Sequence, residues 1–225
     1  MGPCPVGDAL SEGCFGVVIW LTHRGQEWFI AFNKCVPCLS TEEQIGGINV
    51  DVNAGIFQYA YFVEDIEASA IEFAKTLGAG PFFVAKHHKT DQFEYKGTPV
   101  EADVSYAFGY AGHCQIQLIQ QHDQQPSIYR DMFGDGAYGL HHVARLEADY
   151  DGAKSALEAQ GFEKACELFA NDVWACYYDT RAKIHCYTEI HAITDRILAT
   201  FDRWRSAHAN WDGKGDVIVT HGRGA

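Results

Sequence analysis

From Ala54 onward the chain switches between two hydrophobic periods. The apolar run Ile56 to Val63 reads as a strand, and Glu64-Asp65 follows it with an acidic side chain placed to cap a helix. Apolar residues then recur at Ile66, Ala70, Ile71, Phe73, Ala74 and Leu77, a helical spacing that Gly78 is placed to stop. Next come extended, β-branched and aromatic segments, Pro81–Ala85, Asp103–Gly112 and His113–Gln121, separated by polar or glycine-containing turns. The unit reads β-α-β-β-β.

The same order returns: a strand over Leu140–Glu147, an acidic cap at Asp149, a helix over Tyr150–Gly161, and extended segments Ala165–Ala170, Val173–Thr180 and Lys183–Ala192. Asp65 recurs as Asp149 and Gly78 as Gly161, so strand, cap and helix stay in register between the copies. Two copies of one supersecondary unit must bury their sheets together. The pattern therefore predicts an α+β fold of two tandem βαβββ modules forming a curved mixed sheet, over 54–137 and 138–192. Residues 1–48 show no clean period around the aromatic patch Val17–Phe32 and read as an N-terminal extension of weak order. Residues 193–225 read as a C-terminal helix and tail: Ile193, Ile197, Leu198, Phe201 and Trp204 form a stripe expected to pack on the outside of the second module.

Composition narrows the function. The 225 residues carry 17 basic against 30 acidic side chains, a formal −13, which repels nucleic acid and anionic membrane. The apolar stretch Cys14–Leu21 is too short to span a bilayer, and no secretory signal is evident. Eight cysteines without such a signal favour free thiols in a reducing compartment, with the cytoplasm as the default. Cys35 and Cys38 form a CxxC that Cys4 and Cys14 could complete as a zinc site, although regular paired spacing is lacking and incidental thiols are the plainer reading.

Aligning the modules puts four polar side chains at equivalent points: Gln58 and His142 in the first strand of each copy, Gln117 and Glu189 in the last. Alternation gives Gln58 the same face as Ala60 and Phe62. Singly, each such residue is usually an ordinary hydrogen-bonded strand residue. If two curved sheets face one another, however, the four can offer an imidazole nitrogen, a carboxylate and two amide oxygens to one divalent cation, among Mn²⁺, Co²⁺, Ni²⁺, Fe²⁺, Zn²⁺ and Mg²⁺. His141 points to the opposite face by alternation and reads as structural. Lys86-His87-His88-Lys89, in the longer region of module one, reads as a solvated loop, with substrate-anion binding as the sharper alternative. Gly80-Pro81-Phe82-Phe83 reads as core, or as an apolar wall over the metal.

The segment Gly139–Ala144 ahead of a helix, the strand Gln115–Gln121 and the segment Lys183–Ala192 resemble the metal-ligand strands of the vicinal oxygen chelate superfamily. That superfamily includes glyoxalase I, methylmalonyl-CoA epimerase, extradiol dioxygenases and fosfomycin-resistance proteins. The resemblance covers about residues 54–192, and the tail with Trp211-Asp212-Gly213 looks like the endings of glyoxalase-like members. It implies that Gln58, Gln117, His142 and Glu189 hold one divalent metal and that Glu189, the one carboxylate, moves a proton next to a carbonyl through an enolate-like intermediate. Glyoxalase I has two carboxylates, so the pattern here looks closer to the epimerase. The implied activity is that of a lyase or isomerase on a small carbonyl or thioester substrate. Two rivals stand beside it: an extradiol-type dioxygenase, which expects a second histidine where Gln58 stands, and a metal-free, ligand-sequestering module of the bleomycin-resistance type. The resemblance leaves open whether pockets form within one chain or between swapped chains of a homodimer.

Overall fold

A computed structural model describes residues 55–220, together with the backbone over 18–23 and 26–31. The chain divides into two compact units, Met1–Val52 and Asn53–Ala225. In the first, β1 (Val18–His23) and β2 (Gln26–Ala31) pair antiparallel as a hairpin, Val18 opposite Ala31 and His23 opposite Gln26. The four cysteines of the candidate zinc set lie outside the described residues.

In the second unit, β3 (Ile56–Phe62) leads into α1 (Ile66–Leu77), β4 (Phe82–His88), a small hairpin of β5 (Gln92–Tyr95) and β6 (Thr98–Pro99), then β7 (Val104–Ala111) and β8 (Cys114–Gln121). A short helix α2 (Ile128–Met132) bridges to the second copy: β9 (Gly139–Glu147), α3 (Tyr150–Ala159), β10 (Lys164–Ala170), β11 (Val173–Tyr178), the single turn α4 (Arg181–Ile184) and β12 (Tyr187–Ala192). α5 (Asp195–Ala209) and β13 (Ile218–Thr220) close the chain. The expected helix starts are capped as the sequence suggests. Asp65 accepts from the Glu67 and Ala68 amides at 2.9 and 2.8 Å, and Gly78 ends α1 in the left-handed region at φ 65°.

Eleven strands form one mixed sheet in the order β13-β4-β7-β8-β3-β9-β12-β11-β10-β5-β6. Each module contributes a parallel pair of its first and last strands, β3 with β8 and β9 with β12, and the modules join by antiparallel pairing of β3 with β9. The sheet is curved, and its two halves meet across a core containing Phe62, Tyr106 and Ile119 from one side and Leu168 and Tyr177 from the other. α1 covers the outer face of the first module over Phe82, Val84 and Leu118, and α3 covers that of the second over Cys176 and Ile190.

Several expectations are corrected. α5 does not pack on the outside of the second module: Trp204 clusters with Phe83 and Tyr110, and Phe108 stacks on the Trp204 ring with centroids 4.7 Å apart. The helix is pinned there by His208, whose Nδ1–H donates to the Gly80 carbonyl at 2.6 Å while Nε2 accepts from the Gly112 amide at 3.1 Å. The tail is not a bare turn, because β13 adds to β4 as a parallel edge strand. Lys86-His87-His88 belongs to β4 and its end rather than to a loop. Lys183 and Ile184, expected as extended, sit in α4. Gly80-Pro81-Phe82-Phe83 serves both readings: Phe82 is fully buried core, and Phe83 lines a cavity. Among the described residues no helix is long and apolar enough to cross a membrane.

Candidate metal centre

Strand register brings the four predicted side chains to one place. Across β8, β3, β9 and β12, one row reads Gln115, Gln58, Ala144, Glu189, and the next reads Gln117, Ala60, His142, Tyr187. Residues two apart on a strand share a face, so the four candidates lie on the same face in adjacent rows, on strands about 4.8 Å apart. Their immediate neighbours between strands are Ala60 and Ala144, both fully buried, whose methyl groups leave room for longer side chains to lean together. Gln58, Gln117, His142 and Glu189 are themselves buried, the most exposed at 5%.

Each candidate aims one ligating atom at the same place. Among the described residues Gln58 Oε1 and Gln117 Oε1 are buried without a hydrogen-bond partner, while His142 Nε2 and Glu189 Oε2 lie 2.9 Å apart. Buried polar atoms are nearly always paired, so two orphaned amide oxygens beside a buried imidazole–carboxylate contact point to a common cause. The surrounding contacts aim them. Gln58 donates its Nε2–H to Gln115 Oε1, and Gln115 in turn donates to the Tyr110 hydroxyl at 3.2 Å, which fixes the Gln58 amide with its oxygen outward.

His142 is oriented by its neighbour His141. A carbonyl only accepts, so the 3.2 Å contact of His141 Nε2 with the Ile128 carbonyl places a proton on that nitrogen. Burial and the neighbouring His142 push the His141 pKa well down, so its ring is neutral and Nδ1 is an acceptor. His142 Nδ1, 2.8 Å away, must then donate, which turns Nε2 to the site. Nε2 lies 2.9 Å from Glu189 Oε2. A proton or a metal cation between the two satisfies both. The donor set fits a divalent ion: one nitrogen, one carboxylate and two amide oxygens.

His141 corrects the expectation from alternation. Between the pairs Ala60–His142 and Tyr61–Leu140, β9 holds one more residue than β3, and that residue is His141. The bulge turns its ring towards His142 instead of away. His191 was not singled out from the sequence, yet its position two residues after Glu189 on β12 signals the shared face. Its Nε2 lies 3.2 Å from Glu189 Oε2, and its Nδ1 finds no partner among the described residues. Burial opposes ionisation of Glu189, but the His191 and His142 imidazoles outweigh it and hold the carboxyl well below the usual carboxylate range. Burial drives the Tyr177 and Tyr106 phenols the other way, so both stay protonated.

A cavity of about 420 Å³ opens beside this set, lined by Gln58, Gln117, Glu189 and His191 and by Phe201 and Trp204 of α5. The volume suits a small ligand.

Paired βαβββ modules whose first and last strands converge on a buried set of polar side chains define the class of fold. The chain belongs to the Glyoxalase/Bleomycin resistance protein/Dioxygenase superfamily, whose family model matches residues 57–177. Members typically bind a divalent metal. Solved structures similar in fold include methylmalonyl-CoA epimerase from Mycobacterium tuberculosis, at 15% identity and TM-score 0.47 over 64% of this chain and 91% of that one. Another is a hypothetical protein from Bacillus halodurans C-125, at 14% identity and TM-score 0.46 over 63% and 95%. A third is a methylmalonyl-CoA epimerase in complex with methylmalonyl-CoA and NH4+, at 14% identity and TM-score 0.41 over 63% and 96%. No curated protein matches this sequence.

Proposed function

We propose that this chain is a metal-dependent isomerase or lyase that takes a small carbonyl or thioester substrate into the 420 Å³ cavity and moves a proton at the carbon beside the carbonyl, through an enolate-like intermediate. The observation that carries this reading is the convergence of buried ligating atoms of Gln58, Gln117, His142 and Glu189 beside that cavity, with both amide oxygens left without a partner among the described residues. One carboxylate among four ligands leaves a bound dication about one net positive charge, which favours an oxygen that gains negative charge as the proton leaves. The amides of Gln58 and Gln117 are not basic, and His142 Nε2 would be taken up by the metal, so these three would hold and orient the ion. Glu189 is the base, acting from the carboxylate that borders the cavity. The α5 wall excludes water, and Trp204 Nε1–H, buried without a partner among the described residues, is a donor for a second substrate oxygen.

A second reading of the base has its own observation. His191 lines the cavity, touches Glu189 through Nε2 and has an unpartnered Nδ1, the arrangement of an imidazole base oriented by a carboxylate. Solvent deuterium incorporation into a panel of α-hydroxy-ketone, hemithioacetal and acyl-CoA substrates separates the two. Glu189→Gln keeps an oxygen ligand, and exchange is expected to fall about 10²–10⁴-fold while metal binds more weakly. Full exchange by Glu189→Gln with metal held, and its loss in His191→Gln, moves the role to His191. A protein that purifies without metal and binds ligand equally well in chelator is a sequestering module, and the proposal fails.

A further inference from the structure

The basic stretch at the end of β4 does not act as a unit. Between the pairs Ala85–Tyr106 and His88–Val104, β4 holds one residue more than β7, and His87 takes a left-handed φ of 48°. The neighbouring imidazoles point apart: His88 lines the cavity, whereas His87 is exposed. Outside, His87 Nδ1 lies 2.8 and 2.9 Å from the two oxygens of Asp103, and the His122 ring packs against the His87 ring with centroids 4.4 Å apart. Ligating atoms of all three residues lie within 4.8 Å of one another.

The backbone holds each of the three in place. His87 N–H donates to Ser105 Oγ at 3.0 Å, His122 N–H donates to the Asp103 carbonyl at 2.8 Å, and Asp103 N–H donates to Asp123 Oδ2 at 2.9 Å. Ser105 Oγ also lies 2.7 Å from His122 Nε2, so one hydroxyl orients both histidines; accepting from Nε2–H leaves Nδ1 of His122 as a lone pair. A surface ion pair joins His87 to Asp103, and Ser105 together with ring packing brings His122 beside them. A shared dication accounts for all three.

We propose that His87, Asp103 and His122 form a second divalent-metal site, exposed, with two imidazoles, one carboxylate and solvent as ligands. Two nitrogens and one oxygen favour a borderline ion, Zn²⁺, Ni²⁺ or Co²⁺. The site shares no residue with the buried set, and it fastens together the end of β4, the start of β7 and the end of β8. The test is titration of the chelator-stripped full chain with Zn²⁺ by calorimetry. Wild type is expected to take up two equivalents, and His87→Gly and Asp103→Asn one each. Glycine accepts the left-handed backbone, and asparagine keeps the aspartate's size, so both variants are expected to fold. His142→Ala is expected to lose the other equivalent. A single equivalent that vanishes in His87→Gly and survives His142→Ala supports this site and overturns the buried one. Equal stoichiometry in wild type, His87→Gly and Asp103→Asn overturns the proposal.

Discussion

Replacing His141 by leucine tests the orientation of the buried set without touching a ligand. The change removes the acceptor at His141 Nδ1, 2.8 Å from His142 Nδ1, and the donor to the Ile128 carbonyl at 3.2 Å. His142 then keeps a buried Nδ1–H without a partner, a cost of about 1–3 kcal/mol, or turns its other tautomer to the ligand position. Loss of an outer hydrogen-bond partner of a metal-ligating histidine typically lowers affinity about 10–100-fold, equivalent to about 1.4–2.8 kcal/mol. His141→Asn, whose Oδ1 replaces the Nδ1 acceptor, is expected to recover most of that loss. The assay is competition with a chromophoric chelator in a His87→Gly background, which removes the exposed site. Unchanged affinity in His141→Leu, or equal loss in the leucine and asparagine variants, refutes the tautomer argument.

Filling the space between the ligands with Ala144→Leu is expected to abolish binding at the buried set, read as one lost equivalent by calorimetry while circular dichroism stays native. In the metal-free protein the depressed Glu189 pKa contributes stability that is present above its ordinary value near 4.5 and lost as pH falls below it. Urea unfolding should therefore find Glu189→Gln less stable than wild type at pH 7, with the gap closing in acid; a gap independent of pH contradicts this. Replacing His208 with leucine unfastens α5 from Gly80 and Gly112 and is expected to cost about 1–3 kcal/mol and to weaken ligand uptake, measured by thermal unfolding and by titration. A chain beginning at Asn49 is expected to fold, since the repeat begins after it, and circular dichroism of that fragment checks the boundary.

The repeat and the four candidate ligands were legible because each rests on local signals: acidic caps at Asp65 and Asp149, the glycines after each helix, and period-two strands carrying Gln58, Gln117, His142 and Glu189. What escaped was set by register and by distant packing. A bulge is one uncounted residue, so nothing local shows that His141 turns towards His142 or that His87 takes a left-handed backbone at the end of β4. The stripe on α5 announces an apolar partner but not which one, and the choice of the first module follows from Trp204 meeting Phe83 and Phe108 and from His208 meeting two distant backbone groups. His191 was within reach, since the same alternation that selects Glu189 selects the residue two further on.

The most direct measurement of the central claim is anomalous diffraction from crystals of the full chain grown with Co²⁺. The expected result is a peak bonded to Gln58 Oε1, Gln117 Oε1, His142 Nε2 and Glu189 Oε2, the four buried atoms that converge beside the cavity. A metal-loaded crystal with no peak among those atoms, and with each of them hydrogen-bonded to water or to a neighbouring side chain, would contradict it.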